Sequence, residues 1–450
     1  MNQNSNYIVA VEIGSSKIKG AVGKVDPSGI LTVKGIEEEH QHPNHVRHGC
    51  VQNVKEVANE LNRVITKLNN YISPAKISAV YLGVGGRSMK STPANLQMAL
   101  ADDTEVTHEM VESLLSRAAV IEANTERLAV EPVEFRINGK GKSDEPVGEL
   151  AHDLAVTVNV VSCRTQLLRN LKLSVSEKLN LPINGYIVRP MALADLVLIS
   201  EERRCGTMLV DCGAETTTVA IYKGARMHYL ATIPLGSRHI TRDLMSINPL
   251  EERAEEIKRT IGDAHPDEAH RSSLPEEIDN SKINNIVIAR ASEIIANITA
   301  QIGYAKMSAS DLPGGIVIVG GGAMLKGFAE ALAQSTGMNV RRGSLPATVR
   351  LAGNKISTSE DLDVISLLYY LSRQPHVSPC TVKPEPPKPA DNSDHSDNSD
   401  NSEFYDDFDD DDQDSDPIEE LPKDSIWVRI KQKFGNITSP ASLDDDDFTD

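Results

Sequence analysis

Residues 6–25 read NYIVAVEIGSSKIKGAVGKV, and residues 207–223 read TMLVDCGAETTTVAIYK. The two stretches rhyme. In each, an apolar run ends in a carboxylate, Glu12 or Asp211, and a glycine follows two positions later, Gly14 or Gly213. Small hydroxyl residues come next (Ser15 and Ser16, or Thr216 and Thr217), and a second apolar run closes the pattern. This order predicts two β-hairpins of one kind. Glycine lets backbone amides point at a phosphate, and a hydroxyl adds a donor. Lys19 belongs to the same candidate set. The carboxylates Glu12 and Asp211 could hold a hydrated Mg²⁺ between phosphates. Two such hairpins facing each other would clamp a polyphosphate from both sides.

One acidic-x-Gly hairpin alone is usually an ordinary turn. A third element makes the set specific: PGGIVIVGGGAMLKGFAEALAQSTG, residues 313–337, reads as strand, glycine turn and helix, with Gly320, Gly321 and Gly322 at the turn. The P-loop sequence G-x-x-x-x-G-K-[ST] is absent, so the phosphate-binding device is of another type.

Outward from these motifs the chain reads as α/β. ISAVYLGVGG is a further strand, VKEVANELNRVITKLNNY has helical periodicity, and 283–305 is a longer apolar-periodic helix. GVGGRS at 83–88 lacks the full dinucleotide-loop pattern and reads as a turn. At 450 residues, two or more domains are expected. The formal charge of −19 is concentrated: Glu385–Asp450 holds 22 acidic and 5 basic residues, leaving 41 basic and 43 acidic in 1–384. A nearly neutral body argues against nucleic acid as a partner. Five scattered cysteines without a C-x-x-C pair suit a reducing compartment. Neither a signal peptide nor a membrane-spanning run is expected.

The ordered triple of two hairpins and a strand–GGG–helix is the nucleotide signature of the actin, Hsp70 and sugar-kinase superfamily. Within it the chain resembles FtsA, the actin-like bacterial cell-division family, through about residues 7–373 and the terminal segment. VEIGSSKIKG, with glutamate where the superfamily usually has aspartate, looks like the FtsA form. The stretch from about 86 to 163 resembles the 1C subdomain that replaces actin's 1B. YIVRPMALADLVL resembles the helix joining the lobes, and AEEIK at 254–258 resembles a segment of the nucleotide cleft.

The resemblance implies a two-lobed α/β ATPase fold that binds ATP with Mg²⁺. It divides the chain into 1–85 (subdomain 1A, first part), 86–163 (1C), 164–206 (1A, second part), 207–241 (2A, first part), 242–311 (2B), 312–355 (2A, second part) and 356–373 (return to 1A). It also implies that Glu255 and Lys258 contact ribose and base. Arg290 would stand in 2B where the C-terminal peptide of FtsZ is received. Self-assembly into an actin-like polymer, and other division proteins docking on 1C, are the further partners implied.

Two departures bear on activity. Thr218 stands where many relatives carry aspartate, and Gly213-Ala214-Glu215 replaces a run of glycines. The candidate for positioning a hydrolytic water is Asp195 on the connecting helix, and slow or negligible ATPase activity is expected. HQHPNHVRHGC, residues 40–50, has metal-ligand residue types, but Pro43 and Gly49 mark a loop without a rigid frame, so zinc is the less favoured reading.

From about residue 374 the composition turns proline-rich and then rich in Asp, Asn and Ser. Residues 374–424 therefore read as a disordered acidic linker with a span on the order of 40 Å. Beyond it, 425–437 is SIWVRIKQKFGNI, with the only tryptophan of the chain, and 438–450 is again acidic. On a helical wheel Ile426, Trp427, Ile430, Phe434 and Ile437 share an arc about 100° wide, and Arg429, Lys431 and Lys433 lie beyond its edges. That pattern predicts an amphipathic helix lying on anionic lipid, bound weakly in one copy and firmly in a polymer. The expected location is the cytoplasmic face of the bacterial cell membrane at the division septum. The alternatives are a PilM-like pilus-assembly protein and a kinase of the sugar-kinase type.

Overall fold

The computed structural model describes residues 7–119, 122–143, 145–265, 280–352 and 356–382. Its first sheet has six strands in the order Ile183–Val188, Val80–Val84, Ile8–Ile13, Lys17–Val25, Leu31–His40, Val349–Leu351. Ile8–Ile13 and Lys17–Val25 form the first hairpin, registered from Ile8 opposite Gly23 to Ile13 opposite Ile18. All six residues of Ile8–Ile13 are buried, because helices cover both faces of this central strand. One cover is the helix Val54–Asn69, capped by the Asn53 side chain accepting the Glu56 N–H. Its Val57, Leu61, Val64 and Leu68 recur at helical spacing and are fully buried. The helix Leu362–Ser372 packs on the hairpin and on the connecting helix Arg189–Val197.

The second lobe repeats this arrangement. Thr207–Cys212 pairs antiparallel with Thr217–Lys223, which pairs with Arg226–Ile233; Ile316–Val319 and then Val340–Arg342 add in parallel on the other side. Each lobe thus holds a three-stranded meander with two parallel strands beside its first strand, and in the first lobe Val349–Leu351 adds in parallel at the other edge; the duplicated part sets the two hairpins facing each other. The helix Asn280–Tyr304 belongs to the apolar core of this lobe through Ile283, Val287, Ile294 and Ile298.

A third unit has its own core around Leu114, Phe135, Leu154 and Val158. Its long strands Lys90–Glu105, Thr125–Ile137 and Leu150–Arg164 form an antiparallel sheet. That sheet continues into the second lobe through one residue pair, Ala231 opposite Lys90.

The segment 374–382 departs from the expected disorder. Thr381–Val382 pairs antiparallel with Lys76–Ile77, and Cys380 is fully buried with its N–H donating to the Tyr7 carbonyl at 3.1 Å. The proline-rich and acidic composition of residues 383–424 hid this short apolar tether, so the first lobe extends to at least Val382. The remainder of the acidic linker and the amphipathic segment 425–437 lie outside the described residues. No helix among the described residues is long and apolar enough to cross a membrane.

Candidate functional site

The two hairpin turns close in the same way. The Gly14 N–H donates to the Lys17 carbonyl at 3.0 Å, and the Gly213 N–H to the Thr216 carbonyl at 2.8 Å. Between the hairpins lies a cavity of about 420 Å³, within the range of small-molecule sites. Gly14, Ser15, Ser16, Gly213, Ala214 and Thr216 line its hairpin walls. Gly320, Gly321 and Gly322 line it at the start of the short helical turn Gly321–Met324. Gly320 has φ +87°, and a Cβ there would fall 2.6 Å from the Cys212 carbonyl oxygen. Only glycine brings this turn so close to the second hairpin.

At the far end, Glu255 and Lys258 line the cavity from the helix Glu251–Thr260. The Lys258 ammonium donates to Glu255 Oε2 at 2.6 Å and to Thr241 Oγ1 at 3.0 Å. Burial lowers the Lys258 pKa despite its partner. Burial also works to raise Glu255, but the Lys258 charge and two hydrogen bonds outweigh it and hold that carboxylate low.

The floor is a dense charge cluster. Arg189, at the start of the connecting helix, places Nη1 2.9 Å from Glu12 Oε1 and Nη2 2.8 Å from Asp211 Oδ2. Lys19 lies 3.2 Å from both Asp361 and Asp363 and also donates to the Glu360 carbonyl. Burial raises Glu12 to about 8, with Asp363 reinforcing the shift and Arg189 opposing it. Burial also raises Asp211 against the pull of Arg189. Asp363 goes the other way: burial pushes it up, but Lys19 and a hydrogen bond from Glu12 bring it below the usual range. Within this coupled pair the environment favours the protonated form of Glu12 and the carboxylate form of Asp363.

Contacts across the cleft hold the lobes together. Glu215, buried in the second hairpin turn, accepts the His48 N–H at 2.7 Å and an Arg242 hydrogen bond at 2.9 Å. Arg238 donates to the Ser15 carbonyl at 2.9 Å and to Glu215. The residue that breaks the expected glycine run is thus an interlobe link.

Three sequence expectations are corrected. Asp195 does not line the cavity; it is bound to Arg203 at 2.7 Å and half-buried elsewhere. It lies six residues beyond Arg189, so it projects from another face of the same helix. Thr217 begins a strand, and its hydroxyl donates to the Leu235 carbonyl at 2.8 Å, away from the cleft. Glu12 and Asp211 do not fit a resident Mg²⁺, because one buried arginine already bridges them.

Arg290 is bidentate to Asp243, at 2.6 and 3.2 Å, and also donates to Glu293, so it ties two helices of the second lobe together. The histidine loop does not converge on a metal: His45 bonds Glu60 at 2.8 Å, His48 faces Glu215, and no metal-ligand cluster occurs among the described residues. Sequence reasoning missed Arg189, Asp363 and the lining glycines Gly85 and Gly86. Only the position of Arg189 at the start of the lobe-joining helix could have pointed to the cleft.

The duplicated lobes and the glycine-walled cleft between them define an actin-like protein of the ATPase fold. The fold matches a chain of the PilM-PilN type IV pilus biogenesis complex with a TM-score of 0.58 at 16% identity, covering 82% of this chain and 99% of that one. The family profile described as "Cell division protein FtsA" matches residues 208–360, and that of the "SHS2 domain inserted in FTSA" matches 86–162. Relatives named cell division protein FtsA include those of Porphyromonas gingivalis (28% identical, 85% of this chain and 80% of that protein), Pseudomonas aeruginosa (27%, 77% and 85%) and Bacillus subtilis (26%, 76% and 80%). The chain belongs to the FtsA family, with an actin-like role in cell division.

Proposed function

We propose that this protein binds ATP between its lobes, assembles into an actin-like polymer and tethers FtsZ filaments to the cytoplasmic face of the membrane at the division site. The observation that carries the reading is the pair of matched hairpins facing each other across a glycine-walled cavity. ATP is the ligand whose phosphates would meet the amides and hydroxyls of Gly14, Ser15, Ser16, Gly213 and Thr216, with Glu255 and Lys258 at the nucleoside end. The floor carboxylates are committed to Arg189 and Lys19, which supports slow or negligible hydrolysis.

The membrane contact is assigned to Ile426, Trp427, Ile430, Phe434 and Ile437, with Arg429, Lys431 and Lys433 facing anionic headgroups. Three basic residues contribute only about 3 kcal/mol, so polymerisation supplies the avidity. For the FtsZ peptide, Arg290 would exchange Asp243 for an acidic residue of the partner. Later division proteins would dock on 1C. The test is co-sedimentation of the purified chain with and without ATP. ATP-dependent pelleting is expected; failure to bind ATP at all would remove the reading.

A further inference from the structure

Arg189 is unusual in where its charge lies. Its side chain is 11% exposed, it lines the floor of the cleft, and its two terminal nitrogens reach one carboxylate from each lobe. A divalent cation between matched hairpins would bridge those same two carboxylates. We propose that the Arg189 guanidinium occupies that bridging position permanently, so that this chain binds nucleotide phosphates without requiring Mg²⁺. The inference rests on the nucleotide reading above.

Four observations support it. The planar fork of an arginine can meet two acceptors at once, which a point charge cannot do without a coordination shell. A metal placed between Glu12 and Asp211 would meet the guanidinium within a few ångströms, and expelling Arg189 would leave a buried cation without partners. The backbone also makes room for the side chain: a Cβ at Gly85 would fall 2.9 Å from Arg189 Nε, and its three nearest neighbours would all be Arg189 atoms. Finally, Arg259 and the ion-paired Lys17, Lys19, Lys258 and Lys326 also line the cavity, and phosphate charge would compete with their carboxylate partners for them. Arg189 thus joins three elements: the first hairpin, the second hairpin and the helix between the lobes.

The test is titration of a fluorescent mant-ATP analogue with the full-length protein, once with excess EDTA and once with excess Mg²⁺. Dissociation constants agreeing within about threefold are expected. A larger loss in EDTA would overturn the proposal while leaving nucleotide binding intact. No binding in either buffer would remove the nucleotide reading and this inference with it. In Arg189→Gln the two carboxylates become available to a metal, so binding should turn Mg²⁺-dependent by about tenfold or more. A Gly85→Ala variant, which displaces only the end of the Arg189 side chain, should shift the same way and keeps the test open if Arg189→Gln does not fold. If folded variants remain as indifferent to Mg²⁺ as the wild type, Arg189 is not the substitute.

Discussion

Glu12→Gln should stabilise the protein at alkaline pH and remove part of its pH dependence. Glu12 is 8% exposed and lies against the Asp363 carboxylate, so the charged form is poorly accommodated and burial raises its pKa to about 8. In the unfolded chain it titrates near 4.5. A raised native pKa means that the folded protein holds a proton the unfolded chain releases. The stabilisation is complete below the unfolded value and is lost as pH rises through the native one. Each pKa unit corresponds to about 1.4 kcal/mol, so the shift sets an upper limit of about 4–5 kcal/mol. Water entering the cleft and side-chain relaxation reduce this, and about 2 kcal/mol is expected between about pH 5 and 9. The assay is urea unfolding followed by far-UV circular dichroism, because the single tryptophan of the chain, Trp427, is not one of the described lobe residues. Glu131, raised by burial to about 7, tilts both profiles alike and cancels in the difference. The wild type should lose about 2 kcal/mol relative to Glu12→Gln as pH rises. Parallel profiles would refute the assignment of the buried proton to Glu12.

Other contacts give three further expected outcomes. Glu215→Ala removes the acceptor for His48, Arg238 and Arg242, and should open the cleft, seen as faster hydrogen exchange at residues 45–50 with the strands of both lobes unchanged. Truncation after Gln374 should lower the melting temperature by several degrees through loss of the buried Cys380 and its strand, whereas truncation after Lys383 should leave it unchanged. Lys258→Ala should weaken ATP binding about tenfold, measured by calorimetry, with the fold intact by circular dichroism.

The hairpins were legible because their information is local: a carboxylate, a glycine and hydroxyls within a few residues fix both turn and chemistry. The glycine turn at Gly320 was legible for the same reason. The charge cluster was not, because Arg189 meets Glu12 and Asp211 only after both lobes fold, and nothing adjacent in sequence marks it as buried. Thr216 and Thr217 show how far local pattern reaches. One faces the cavity from the turn, while the other starts the strand and turns its hydroxyl to Leu235. Composition failed at residues 374–382, where one buried cysteine and two strand residues outweigh a proline-rich context. Glu215 could be seen to break the glycine run, but its role as an interlobe link required the position of His48.

In the proposed function, one chain couples FtsZ filaments to a lipid surface. The most direct test of this coupling is flotation of FtsZ with anionic liposomes, in the presence of ATP and either the intact protein or its Trp427→Glu variant. FtsZ should float only with the intact protein, and the variant should leave both proteins at the bottom of the gradient. If the intact protein floats while FtsZ stays behind, or if Trp427→Glu carries FtsZ upward equally well, the tethering claim is contradicted.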